Sequence, residues 1–342
     1  MSELVRDPKS SESFFDKLAF AGTLFTALTL PSLSSCTRAD APAPAASADD
    51  ADGPALNEAI AEALKSSGGG KLQVFDVYRL AEDAAQGRLA PAQRNLVPEL
   101  AERLSDPDPS MRIAAALALQ KIDPTDERGL PVLLDQMRGD AAGEAASALG
   151  KIGPKAALAV PALTEALTHQ HAEIRIEAAL ALERIDPRCG KGLPALIAEL
   201  EGAQQRWLKA AWESGLWSPF REEAAKEHRV FQQAAAALEQ LGPAAKPAVP
   251  ALVKALEHEW LIHSAVRPLT AMGPDAKDAV PALIAVLGNL DATADDYESA
   301  ALALAAIGPE DKPALPAINR LLQQPYPEIR DSLLKAREKI ER

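Results

Sequence analysis

The residues able to do chemistry are few. The 342-residue chain holds five histidines and two cysteines, Cys36 and Cys189. His258-Glu259 is the one His-Glu dyad, and a metal centre built from such dyads needs more than one. His169 and His171 fall in a link between apolar segments, and His228 and His263 lie in helix-type segments with no ligand at coordinating spacing. The two cysteines show neither metal-type nor redox-type spacing. Gly68-Gly69-Gly70-Lys71 resembles a phosphate-binding loop only weakly: the spaced first glycine, the following Ser/Thr and a preceding strand are all missing. Paired carboxylates abound, but 49 acidic residues on helical faces produce such pairs by chance. No nucleophile–base–orienter set can be assembled. We therefore expect no catalytic residues, no metal and no cofactor.

One cysteine has a chemical role of another kind. Leu18 to Leu30 (LAFAGTLFTALTL) is a charge-free run of 13 residues preceded by Lys17. As a helix it spans about 20 Å, short of the roughly 30 Å hydrocarbon core of a bilayer, so it reads as the apolar part of an export signal. Leu33-Ser34-Ser35-Cys36 follows directly and resembles the bacterial lipobox. That resemblance implies that Cys36 is lipidated and becomes the first mature residue. An ordinary cleaved signal or an uncleaved anchor remains open, because residues 1–17 are long for a leader and carry Glu3, Asp7, Glu12 and Asp16. The expected organisation is a signal over 1–35, then an acidic Ala/Pro-rich tether over 36–56. A helix and Gly-rich linker over 57–71 would lead to a folded body over 72–342. The tether lacks the apolar side chains a core needs. Cys189 reads as a small buried hydrophobe near a helix end.

The folded body announces its architecture through a repeated phrase. Val97-Pro98, Leu130-Pro131, Val160-Pro161, Leu193-Pro194, Val249-Pro250, Val280-Pro281 and Leu315-Pro316 recur at steps of 33, 30, 33, 56, 31 and 35 residues. A period of that size marks stacked helix pairs, each unable to bury its apolar face alone. Proline suits the first position of a helix, where its missing N–H would be unpaired anyway. A second element precedes the phrase, running from Asp106-Pro107-Asp108-Pro109-Ser110-Met111-Arg112 to Ile122-Asp123-Pro124. Similar helices end at Asp186-Pro187 and Gly308-Pro309, where glycine is expected to take a left-handed cap and proline to forbid continuation.

This order resembles the HEAT repeat, specifically the short HEAT-like repeat of phycobilisome lyases, over roughly residues 72–342. The resemblance implies an all-α, right-handed α-solenoid of about seven helix pairs, with the second helices lining a concave face. Three departures stand out. The unit ending at Pro154 lacks the Asp-Pro entry and its arginine. The first pair, over about 72–106, is degenerate, and the last helix, from Pro327 onward, is heavily charged as a cap would be.

Composition narrows the partners. A net charge of −13 opposes binding to nucleic acid and adhesion to an anionic bilayer. The long step of 56 carries an insertion at about 203–228 with Trp207, Trp212, Trp217 and Phe220, three of the chain's four tryptophans within eleven residues. Aromatic side chains concentrate at binding hot spots, so this insertion is a candidate partner surface; the other reading is a hairpin anchored on its neighbours. On the second helices, Ile197, Val253 and Ile284 stand three residues after the phrase proline and are candidate groove residues. One position further the charge runs from Glu102, Asp135 and Glu165 to Lys254 and Arg320. An extended peptide or a helix would suit such a groove, although some of these residues read equally as inter-repeat core. The expectation is a non-catalytic protein-binding scaffold, lipid-anchored at a bacterial envelope and facing the periplasm. A lyase-like or chaperone-type subunit handling a tetrapyrrole, or modifying a partner protein, is the alternative.

Overall fold

The computed structural model describes residues 74–88, 96–212, 222–289, 292–324 and 326–341. The apolar run, Cys36, the tether, the 57–71 segment, Trp217 and Phe220 lie outside the described residues. The chain divides into two units, Met1–Ala51 and Asp52–Arg342, and everything below belongs to the second.

Fifteen α-helices and no strand occur among the described residues. The first helices of the repeats are α1 (Val74–Ala85), α3 (Pro109–Ile122), α5 (Ala142–Ile152), α7 (Ala172–Ile185), α9 (Glu222–Leu241), α11 (Glu259–Met272), α13 (Ala294–Ile307) and α15 (Arg330–Glu341). The second helices alternate with them: α2 (Val97–Arg103), α4 (Gly129–Gln136), α6 (Val160–Ala166), α8 (Gly192–Ala211), α10 (Val249–Ala255), α12 (Val280–Gly288) and α14 (Leu315–Leu321). Each first helix packs beside the next first helix, α1 on α3 and so on to α13 on α15, and each second helix packs against the first helix that follows it. This is an all-α solenoid.

Local chemistry accounts for the boundaries. Asp108 caps α3 by accepting from the Ser110 N–H at 3.0 Å, with Pro109 in the first turn. Thr293 and Asp296 close a reciprocal capping box at the start of α13. The C-terminal caps differ from the expected left-handed residue. Gly153 and Gly308 combine φ of +79° and +113° with extended ψ, a region essentially closed to other residues. Where aspartate replaces glycine the backbone is extended instead. Asp123 and Asp186 then accept from the N–H two residues on, Thr125 at 3.0 Å and Arg188 at 3.1 Å. After Gly-Pro the chain forms 3₁₀ turns, Gly153–Ala159, Gly242–Ala248 and Gly273–Ala279, that deliver each second helix at its proline phrase.

Burial follows the phrase with one-residue resolution. Two residues after each proline stand Leu100, Leu133, Leu163, Leu196, Leu252, Leu283 and Ile318, all 0% exposed. The prolines themselves are exposed. The core is continuous because α7 serves both halves: Ala178, Ala181 and Leu182 pack toward the N-terminal repeats, Ile176, Ala179 and Leu180 toward the C-terminal ones. The extra length of the 56-residue step resides in α8 and α9, each 20 residues against 7 to 14 for the other helices. Those two helices pack extensively on one another.

Candidate functional site

Trp207 requires a correction to its candidacy as a partner-facing residue. It is 1% exposed, on the extended part of α8, with the His228 ring of α9 at 6.3 Å and the His258 ring at 6.2 Å, edge-on. Three successive elements close around it, so it locks the long hairpin onto the next repeat. Nearby, Gln204 of α8 donates to the Lys254 carbonyl at 3.3 Å and extends the same seam. Trp212, at the C-cap of α8, is 49% exposed.

Burial pushes the imidazoles of His228 and His258 below their ordinary basicity. The Trp260 backbone carbonyl opposes this at His228, and Glu257 opposes it at His258. His228 Nε2 is buried and finds no hydrogen-bond partner among the described residues. Both rings are therefore neutral packing groups at pH 7. Among the described residues no three His, Cys, Asp or Glu side chains are placed to hold a metal ion. Cys189 is half-buried against the N-terminal part of the core.

The motif arginine has a structural task. Arg112 donates to the Asp106 and Pro107 carbonyls at 2.7 and 3.0 Å and to Gln136 Oε1 at 2.9 Å. Arg175 repeats the pattern on the His169 and Gln170 carbonyls, then forms a two-pronged pair with Glu199 at 2.5 and 2.8 Å. One guanidinium thus satisfies carbonyls in the link that follows one second helix and reaches the next second helix. Arg330 reaches the Leu322 carbonyl at 3.0 Å, and in α13 a tyrosine substitutes, Tyr297 Oη donating to the Asn289 carbonyl at 2.5 Å.

Ile197, Val253 and Ile284 are half-buried and packed against the core, so they give the second-helix face its apolar footing. The next position in each repeat is exposed at Glu102, Asp135, Glu165, Ala198, Lys254, Ala285 and Arg320. The charge order read from sequence is thus carried on surface side chains. Arg320 also donates to the Leu287 carbonyl at 2.9 Å, which holds it beside α12.

Sequence reasoning did not single out the first-helix face, yet two surface depressions lie there. One, about 540 Å³, sits between α9 and α11 and is lined by Arg229, Gln232, Gln233, Glu239, His263 and Arg267. The other, also about 540 Å³, lies among α1, α3 and α5, with Tyr78, Asp108, Glu144 and Lys151 in its wall. There, burial first, then Glu144 and Asp108, push the Tyr78 phenol up to about 12, and Lys151 stands 5.7 Å from its ring. The signal that could have pointed here is the row of polar residues on helices whose other faces are almost wholly alanine and leucine.

Family models match two segments, HEAT repeats over residues 76–144 and the PBS lyase HEAT-like repeat over 230–258. No curated protein sequence matches the chain. Among solved structures, an engineered protein aligns at 20% identity over 84% of this chain and 99% of its own, with a TM-score of 0.29. The karyopherin Kap121p bound to the extreme C-terminus of the protein phosphatase Cdc14p aligns at 14% identity over 84% of this chain and 46% of its own (TM-score 0.33). Kap121p bound to Pho4p gives 13%, 84%, 45% and 0.33. Likeness that loose carries no functional argument, and the solenoid rests on the helix packing described above.

Proposed function

We propose that this HEAT-repeat-containing chain is a non-catalytic scaffold that binds a protein partner along its repeats and is held at a bacterial envelope by lipid on Cys36. The observation that carries the binding role is the register of the second helices. Seven side chains fully buried two residues after the proline pin seven exposed positions two residues further on. A row of chemically varied side chains, one from each helix pair, suits an extended partner better than a small molecule. The anchoring role rests on Leu33-Ser34-Ser35-Cys36 behind the apolar run and on the Ala, Pro and Asp content of 37–56, too poor in large apolar groups to build a core. Among the described residues no helix is long and apolar enough to cross a membrane.

Photo-crosslinking residues placed at Trp212, Glu165 and Lys254 in bacterial cells test the scaffold. A discrete protein adduct at one or more of them is expected; none at any would overturn the reading. For the anchor, Cys36→Ser should abolish labelling by a fatty-acid probe, and continued labelling would refute it. The lyase-like or chaperone-type alternative draws on the match over 230–258. An absorbing ligand that co-purifies with the chain would favour it over the scaffold.

A further inference from the structure

The depression between α9 and α11 has a charge character unlike the rest of the molecule. The chain carries 49 acidic against 36 basic residues, yet this rim presents Arg229 and Arg267 with one acid, Glu239. Glu239 is already engaged by Arg267 at 2.9 Å. Arg229 forms no ion pair among the described residues, and His263 faces the same space from α11. The matching depression among α1, α3 and α5 has the opposite balance, with Asp108 and Glu144 against Lys151. The basic rim is therefore a property of this groove and not of the first-helix row.

We infer that this groove docks an extended acidic peptide segment of a partner protein, an inference that rests on the scaffold reading above. Three features select that occupant. The Arg229 guanidinium, which no carboxylate among the described residues engages, matches a carboxylate in a two-pronged geometry that a lone ammonium lacks. Gln232 and Gln233 are exposed, and their side-chain amides make no hydrogen bond among the described residues. Each amide both donates and accepts, the pairing a peptide unit requires and a lipid phosphate does not. The floor holds buried small side chains, Ala235 and Ser264, so a strand of chain can approach both helices closely. Net negative charge elsewhere disfavours acidic ligands in general, so binding here must be local.

The test uses the full chain in neutral detergent and a fluorescein-labelled peptide of alternating glutamate and alanine, read by fluorescence anisotropy. A peptide with glutamine in place of each glutamate is the control. The acidic peptide should bind more tightly than the control and weaken as salt rises. Arg229→Glu and Arg267→Glu should each weaken it by about tenfold with helical circular dichroism unchanged, since both side chains are exposed. Equal affinity for the two peptides, or wild-type affinity in the double variant, would overturn the inference. So would phosphatidylglycerol vesicles that bind through these arginines while the peptide does not. If crosslinking captures a partner but the acidic peptide fails, this inference falls and the scaffold stands.

Discussion

Trp207 and Trp212 are five residues apart on one helix and end in opposite environments. Trp207 sits in a closed seam of α8, α9 and the start of α11, so Trp207→Ala should cost about 3–5 kcal/mol, read as a fall in the urea midpoint. Trp212→Ala removes a half-exposed ring and should stay within about 0.5 kcal/mol in the same measurement. The imidazoles beside Trp207 add a pH signature. An unfolded histidine titrates near 6.5, whereas burial holds His228 and His258 lower in the folded chain. As pH falls, the unfolded chain takes up protons first. Stability from this pair is therefore complete above about 6.5 and is lost as pH drops through the lower folded values. The Trp260 backbone carbonyl at His228 and Glu257 beside His258 are the groups that limit the effect. Replacing both histidines with glutamine should flatten the fall of the unfolding midpoint below about pH 6.5, and an unchanged slope would count against the assignment.

At the scale of elements, the chain is closely packed where each second helix starts. The residue before the phrase is always buried: Leu96, Gly129, Ala159, Gly192, Ala248, Ala279 and Ala314. At Gly192 a Cβ would lie 2.4 Å from the Ala179 carbonyl oxygen, and at Gly129 2.8 Å from that of Ala116. Close approach of α8 to α7 forces glycine there, so Gly192→Ala should destabilise by about 1–3 kcal/mol in urea unfolding. The arginine staples operate at this scale too. Arg175 ties the link after α6 to α8 through Glu199, and Tyr297 does the corresponding work where the motif arginine is missing. Such a substitution is invisible to a motif search, because the shared property is reach to a carbonyl and not residue type.

For the whole molecule, stability is a sum of repeats and the seams between them. Helix α15 covers α13 with Leu333, Ala336 and Ile340 and turns Asp331, Lys335, Glu338 and Lys339 to solvent. Ending the chain after Gln324 should uncover that seam, at on the order of 1.5–3 kcal/mol per large apolar side chain. The expected readout is a lower urea midpoint with increased binding of an apolar dye, while the repeats before α13 keep their helical signal. Full retention of the midpoint would mean that neighbouring repeats are not energetically coupled.

The architecture could be read from residue order because a solenoid is built from contacts within one repeat and its neighbour. Apolar period, cap and proline position are all local, and they specify the pairs before any distant contact forms. The extra length of one repeat was legible for the same reason, as a break in an otherwise steady step. What the tryptophans in that length do was not legible. Burial of Trp207 depends on His258, fifty-one positions along the chain, meeting α8 only once α9 has folded between them. The basic groove between α9 and α11 was hidden likewise, since Arg229 and Arg267 become neighbours through packing and not through spacing. Sequence by itself determined the helices and their order; tertiary structure decided which side chains became core and which became surface.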